Sequence, residues 1–202
     1  MKFVRIAWLA TPLLAAGLLA ASSVAAKDFT NLKIAEPQPA ASDLQPGLAV
    51  RYVFEKFDSL TDVENWTKGV KPVDGKPLPQ LNYKVGDGEV LTSGKEDLVG
   101  AWIDGFIHLE KTGTYTFTAE QNDGLRLLIG GVKLHEDGNV LADRFSPALE
   151  VKIEKSGWYP ISLLYFEKRN TSTLQLFWQP PGTEDMVLVP AKAFGHVKGK
   201  SS

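Results

Sequence analysis

Short runs of alternating hydrophobic and polar residues dominate the chain between residues 47 and 196. Residues 114–119 alternate threonine or glutamate-flanking positions with Tyr115, Phe117 and Ala119, and every second residue of 125–129 is leucine or isoleucine. Alternation with a period of two is typical of a strand that buries one face. Similar runs recur at residues 48–54, 149–153, 158–167 and 172–179. The pattern predicts an all-β domain, an antiparallel sandwich or barrel.

Polar turns separate the predicted strands. Asp123-Gly124 lies between two alternating runs and predicts a hairpin in which Gly124 has a positive φ. Residues 168–171 separate two further runs and predict a second hairpin. Residues 59–66 differ from the rest, since SLTDVENW predicts one short helix with Ser59 or Thr61 as its cap.

The two ends of the chain differ from its middle. Residues 1–26 begin with basic residues, continue with an apolar run and end in small residues, which is the order of a secretory signal. The apolar run is shorter than the ~20 residues of a spanning helix, although an uncleaved anchor is the alternative. We expect cleavage after Ala26, a periplasmic or extracellular protein and no transmembrane segment after cleavage. Residues 27–46, rich in alanine and proline, predict a linker before the domain at 47–196 and a tail at 197–202.

Composition narrows the classes of function. The net charge is −2 and no dense basic stripe is present, which argues against a nucleic-acid partner. The chain has no cysteine, which excludes disulfides, cysteine-ligated zinc and a cysteine nucleophile. It has three histidines, none with a second histidine at metal-ligand spacing, so zinc is not expected.

Several segments follow one another in the order found in a known family. They are residues 47–54, GFI at 105–107, GTYTF at 113–117, NDGLRLLIG at 122–130, GWYPI with YFE within 157–167, and LQLFW with PG within 174–182. Together they resemble the protective-antigen-fourteen domain, a β module named after the anthrax toxin component. The resemblance covers roughly residues 47–196, and it implies a β-sandwich that acts as a non-catalytic binding module.

The resemblance also implies where a ligand would bind. In sugar-binding members of the family, two adjacent aspartates joined by a cis peptide hold calcium, and the ion binds vicinal hydroxyls of a sugar. The matching pair here is Asn122 and Asp123, in which the asparagine keeps an oxygen but loses a charge. A second loop of the family's site matches residues 167–170. The implied site lies where the two loops approach, with carbohydrate as partner, calcium as a candidate cofactor, and these ligand-binding residues: Asn122, Asp123, Glu167, Lys168, Arg169 and Asn170.

Other interpretations of the same residues remain open. Asn122 and Asp123 could instead bond nearby backbone and shape the turn, and residues 168–171 could be a solvated tip. A structural or protein-binding domain of the cell envelope is the alternative function. An enzyme using Glu120 and Asp123 as acid and base is a third, but nothing in the sequence places a second carboxylate opposite the first.

The aromatic residues give further expectations. By alternation, Phe117 and Trp178 belong to the core. Trp158 and Tyr159 are adjacent, so one of them is expected to face outwards. An exposed tryptophan near a loop would favour ligand binding, because aromatic rings stack on the apolar faces of sugars.

Overall fold

The structure, a computed structural model, describes residues 27–66, 70–86 and 88–197. The predicted signal sequence at 1–26, and the predicted tail after Val197, lie outside these residues. The strands are β1 (Lys27–Phe29), β2 (Leu44–Pro46), β3 (Ala49–Phe54), β4 (Val73–Asp74), β5 (Asn82–Val85), β6 (Val99–Leu109), β7 (Gly113–Asn122), β8 (Leu125–Ile129), β9 (Val132–Asp137), β10 (Arg144–Phe145), β11 (Leu149–Ile153), β12 (Gly157–Glu167), β13 (Ser172–Gln179), β14 (Val187–Leu188) and β15 (Phe194–Val197). One α-helix, α1 (Leu60–Asn65), and short 3-10 turns at Ala41–Asp43 and Ala191–Ala193 complete the described fold.

The strands form two sheets that pack face to face. Sheet A has the order β1-β11-β7-β13-β14, with β10 beside β7 and β5 beside β13. Sheet B has the order β2-β15-β6-β12-β8-β9, with β3 beside β6 and β4 beside β3. Apart from the parallel pair of β1 and β11, the paired strands are antiparallel. The predicted antiparallel sandwich is therefore confirmed.

The core lies between the sheets and follows the alternation in the sequence. Tyr115 and Phe117 of β7 are buried, as is Trp178 of β13. The ring of Trp178 lies 5.7 Å from that of Tyr115 and 6.3 Å from that of Phe117. Burial of each large apolar side chain contributes ~1.5–3 kcal/mol to folding. Tyr159 is buried while its neighbour Trp158 is half-exposed, as expected from their adjacency.

The predicted helix is present, and its cap is Ser59. The Ser59 hydroxyl accepts a hydrogen bond from the backbone N–H of Asp62 (3.2 Å). The helix buries Leu60 and Val63 against the outer face of sheet B. There they join a second apolar cluster with Val53, Phe57, Leu164 and Phe166.

This helix also explains where the predicted facing of β3 fails. The alternation places Phe54 inside and Val53 outside, but Phe54 is exposed and Val53 is buried in the helix cluster. The strand is therefore covered on both faces at Val53, which a period of two cannot express.

Both predicted hairpins are wrong. Strand β7 belongs to sheet A and β8 to sheet B, while β12 belongs to sheet B and β13 to sheet A. The turns at 123–124 and 168–171 are therefore arches that cross from one sheet to the other. A true hairpin joins β8 and β9, where Gly130 and Gly131 have φ of 59° and 76°.

The predicted positive φ of Gly124 is also wrong, because its backbone is not in the left-handed region. A Cβ atom at this position would lie 2.3 Å from the ring of Phe166. The glycine is required because the arch passes directly over this ring.

Residues 27–46 run along the sandwich. Beyond β1, the backbone N–H of Lys33 donates to the carbonyl of Gly130 (2.9 Å), and that of Ala35 to the carbonyl of Trp158 (2.9 Å). The amide oxygen of Gln38 accepts from the N–H of Trp158 (2.8 Å). Within residues 27–66, 70–86 and 88–197, no helix has the length and apolar character needed to cross a bilayer.

Candidate functional site

The two arches meet at one end of the sandwich. The N–H of Asp123 donates to the carbonyl of Phe166 (3.2 Å), and the N–H of Phe166 donates to the carbonyl of Gly124 (3.1 Å). A third loop, between β9 and β10, approaches the same place. We call residues 121–124, 139–143 and 167–171 the arch end.

Asp123 holds the three loops of the arch end together. Its side chain is 2% exposed, and its two carboxylate oxygens accept from the N–H of Leu141 (2.8 Å) and that of Lys168 (2.8 Å). Burial raises the pKa of this carboxyl, and the two hydrogen bonds offset part of that rise. The Asn122–Asp123 peptide bond is cis.

Asn122 bonds outwards from the same turn. Its amide nitrogen donates to Oδ1 of Asp143 (3.0 Å) and to the hydroxyl of Thr171 (2.9 Å). Its backbone carbonyl accepts from the hydroxyl of the buried Tyr165 (2.6 Å). The asparagine thus uses its N–H donors, which an aspartate would not have.

Asp143 is the most highly connected exposed acid of the arch end. It accepts from Asn122 and from the hydroxyl of Thr173 (3.0 Å), and Lys84 Nζ lies 3.4 Å from its other oxygen. Burial acts to raise the pKa of this carboxyl, but the hydrogen bonds from these three groups outweigh it and the pKa is lowered. Lys84 also pairs with Glu120 (2.5 Å), so Glu120 and Asp123 bond different groups.

Glu167 is the most unusual carboxyl of the site. Its side chain is fully buried, and neither oxygen has a hydrogen-bond partner. Burial, followed by the charges of Asp97 and Asp123, raises its pKa to about 8. The N–H of Leu98 offsets a part of this rise without the geometry of a full hydrogen bond. Near neutral pH this side chain is therefore mostly protonated.

The remaining predicted site residues lie nearer the surface. Lys168 is half-buried, and its ammonium group pairs with Asp58 (2.6 Å). Arg169 and Asn170 are exposed. Asn170 has φ of 72°, and its N–H donates to Oδ1 of Asp97 (2.7 Å).

The structure therefore divides the six predicted residues into two groups. Three are buried and shape the site, namely Asn122, Asp123 and Glu167. The loop residues 168–170 edge it. Sequence reasoning missed Asp97, Asp143 and Thr171, because they come from distant loops and no local motif marks them.

His135, which the sequence places beside two acids, is not part of this site. It is buried, and its Nε2 lies 2.7 Å from Oε1 of Gln121. Burial lowers its pKa.

The donor set of the arch end fits calcium poorly. Calcium takes 6–8 oxygen ligands, whereas both oxygens of Asp123 already accept backbone N–H groups and Asn122 turns its amide nitrogen towards Asp143 and Thr171. An ion would have to displace these bonds. In the described part of the chain, no three histidine, aspartate or glutamate residues converge as a metal site.

Comparisons with known proteins agree with this geometry. The sequence model described as "PA14 domain", the protective-antigen-fourteen module, matches residues 44–190. Among solved structures, the chain is similar to the A domain of epithelial adhesin 9 from Candida glabrata in complex with Galβ1-4GlcNAc, with TM-score 0.66, 12% identity, and coverage of 86% of this chain and 99% of the adhesin domain. No curated protein matches the chain.

Two further structures have the same fold. The PA14 domain of the antifreeze protein MpAFP has TM-score 0.64 and 14% identity, with 83% of this chain and 100% of that domain covered. The PA14 sugar-binding domain of an RTX adhesin has TM-score 0.56 and 14% identity, with 75% and 98% covered. At these identities the similarity establishes the fold.

Proposed function

Because the chain belongs to the PA14 domain family, we propose that it is an exported, non-catalytic module that binds carbohydrate at the arch end. Two of the similar structures are described as a sugar complex and as a sugar-binding domain, which supports this class of ligand. The secretory pattern of residues 1–26 supports a periplasmic or extracellular location.

The clamp formed by Asp123 is the observation that carries the proposal. It fixes the backbone at Leu141 and at Lys168 through two hydrogen bonds of 2.8 Å. The loop side chains beside these points are therefore displayed from a rigid base. Rigid display lowers the entropy lost on binding, which matters for a small polar ligand such as a sugar.

The exposed residues of the arch end would make the contacts. Arg169 and Asn170 carry N–H donors, and Asp143, whose side chain is 37% exposed, supplies a carboxylate acceptor. Sugar hydroxyls both donate and accept, so this mixture suits them. Lys168 would act by position, since its ammonium group pairs with Asp58.

Calcium assistance by Asn122 and Asp123 is the finer part of the proposal that needs its own test. Since an ion would have to displace hydrogen bonds at both residues, we propose that sugar hydroxyls bind directly. The experiment is therefore run with calcium and with a chelator. Loss of binding in chelator would replace direct contact with calcium-mediated contact.

The test is a glycan array probed with the exported chain, followed by calorimetry on the best glycan. Arg169→Ala and Asn170→Gly should each weaken binding about fivefold to tenfold, the loss of one or two hydrogen bonds. Glycine is chosen at 170 because it accepts the left-handed backbone while removing the amide.

Lys152→Ala provides the matched control, because Lys152 is an exposed lysine on β11. It should bind like the parent. Unchanged affinity in both arch-end variants would place the ligand elsewhere. Binding to no glycan, together with capture of a single envelope protein, would favour the interaction-domain alternative.

A further inference from the structure

The outer face of sheet B has an unusual composition for a solvent-facing surface. Below the area covered by α1, the side chains directed away from the core include two half-exposed aromatic residues on one strand. We define the sheet B platform by these residues: Arg51 of β3; Trp102, Asp104 and Phe106 of β6; Pro160 and Ser162 of β12; Arg126 and Leu128 of β8.

Strand register brings these side chains side by side. Trp102 pairs with Leu164 on one side and with Arg51 on the other. Two residues further along β6, Asp104 pairs with Ser162, which in turn pairs with Leu128. The positions form a continuous strip across neighbouring strands, because residues two apart on a strand share a face.

The strip is concave. One depression, of about 290 Å³, is lined by Trp102, Arg51 and Arg126, with Glu64 of α1 as its wall. A second, of about 320 Å³, contains Phe106 and Pro160. Both are lined by Asp104, Leu128 and Ser162, so they adjoin. Each approaches the size of small-ligand sites, which begin at ~300 Å³.

Trp102 is held in place with part of its ring uncovered. It packs against the apolar cluster beneath α1 and remains half-exposed. Phe106 lies four residues further along β6, ~13 Å away at the rise of a strand. Two aromatic side chains at fixed spacing in a groove can each stack on the apolar face of a ring.

The charges of the platform are balanced. Arg51 pairs with Asp104 (3.6 Å), and Arg126 pairs with Glu64 (3.0 Å) and Glu136 (2.8 Å). A polyanion would need a surplus of cations, and this face has none among these pairs. The guanidinium groups have five N–H donors each and the carboxylates several acceptor positions, so paired groups can also bond hydroxyls.

From these observations we propose that the sheet B platform is a second binding site, for a short linear segment of neutral polysaccharide. Trp102 and Phe106 stack on sugar rings, and Arg51, Asp104 and Ser162 bond their hydroxyls. The site is distinct from the arch end and goes beyond the function proposed there. A groove walled by α1 suits a narrow chain better than a flat protein surface, whose interface buries ~800 Å² on each partner.

The outer face of sheet A supports the assignment by contrast. On β7 its corresponding positions are Thr114, Thr116 and Thr118, which are short and polar. Aromatic side chains in a groove are therefore not a general property of the outer faces of this sandwich. Phe145 and Phe177, whose rings are 6.1 Å apart, are exposed on sheet A and provide a control site.

The experiment is calorimetric titration of the purified chain with linear cello-, malto-, xylo- and N-acetylchito-oligosaccharides. The parent should bind at least one series, with longer members binding more tightly. Trp102→Ala should weaken that binding about tenfold, which is the upper range of one aromatic contact. Phe145→Ala should leave it unchanged.

Two further variants keep the result interpretable. Trp102→Ala could loosen the α1 cluster, so Ser162→Arg is used to fill the groove while the tryptophan stays in place, and it should weaken binding at least as much. Arg169→Ala at the arch end should leave oligosaccharide binding to the platform unchanged. That variant separates failure of this proposal from failure of the proposed function.

Several results would overturn the assignment. One is equal affinity in the parent and in Ser162→Arg. Another is loss of binding only in Arg169→Ala, which would assign all carbohydrate binding to the arch end. Absence of binding to every series would also overturn it. In that case, self-association that Ser162→Arg abolishes in sedimentation would identify the platform as a protein interface.

Discussion

The arch end and the sheet B platform depart from the usual distribution of residues in opposite directions. At the arch end, Asn122, Asp123 and Glu167 are polar yet buried. On the platform, Trp102 and Phe106 are aromatic yet half-exposed. Buried polar groups need partners, whereas exposed apolar groups need only a rigid support.

This difference predicts how each region tolerates substitution. The arch end depends on specific hydrogen bonds and close contacts, so small changes there should cost stability. The platform rests on a sheet that is already complete, so changes there should affect binding and leave folding nearly unchanged. The predictions below compare matched substitutions in the two regions.

The largest expected difference concerns added volume. Gly124→Val would place its side chain within the ring of Phe166, whose nearest atom is 2.3 Å from the position of a Cβ. We expect a loss of about 3 kcal/mol or more in the free energy of unfolding. Ser162→Val on the platform adds a similar side chain facing solvent and should change stability by less than ~0.5 kcal/mol. Urea denaturation of both variants measures the contrast, and equal stability would contradict it.

Replacing an amide by a carboxylate gives the next effect. Asn122→Asp removes the two N–H donors to Asp143 and Thr171 and places a second carboxylate beside that of Asp143. We expect a loss of about 2–3 kcal/mol at neutral pH. The loss should shrink under acid conditions, where the repulsion is relieved.

The same variant tests calcium sensitively. An added carboxylate strengthens a calcium site, so millimolar calcium should raise the melting temperature of Asn122→Asp if the arch end can hold the ion. An identical response in the parent would mean that Asn122 already serves as a ligand, contrary to the fit described above.

A pH-dependent effect of intermediate size is expected at Glu167. Its pKa in the folded chain is about 8, above its ordinary value of 4.5. The protonated form is therefore favoured by folding, and its contribution is complete below about pH 4.5 and lost as the pH rises through about 8. Glu167→Gln should remove this loss and be more stable than the parent by roughly 2 kcal/mol at pH 9.

The smallest effect is expected from the matched change on the platform. Asp104→Asn weakens a half-exposed ion pair with Arg51, and such pairs contribute ~0–1 kcal/mol. Its stability should differ little from that of the parent between pH 5 and pH 9. Thermal melts across this range compare it with Glu167→Gln. A steep pH dependence that is removed by Asp104→Asn alone would reverse the comparison.

Local patterns predicted the parts of the fold that depend on local geometry. Alternation identified Tyr115, Phe117 and Trp178 as core residues, because the facing of a side chain repeats every two residues. The cap of α1 by Ser59 was predictable for the same reason. The family motifs added the arch end, whose two loops do approach each other.

What sequence reasoning missed depends on contacts between distant residues. Strand β7 pairs with β13 rather than β8, so Asn122 lies opposite Thr173. Alternation shows which face is buried, but it does not show which strand is adjacent. Gly124 was assigned a backbone role, although the ring of Phe166, brought from β12, is what requires it.

The placement of the two ends of the described chain has a mechanical consequence. Strand β1 lies at the edge of sheet A, held by three residue pairs to β11, whereas β15 lies within sheet B. Tension between Lys27 and Val197 must therefore pass from one sheet to the other. We expect β1 to detach first under load in single-molecule pulling, because few bonds hold it. The arches, which join the sheets covalently, would then carry the force, so a ligand at the arch end would be released only at higher load.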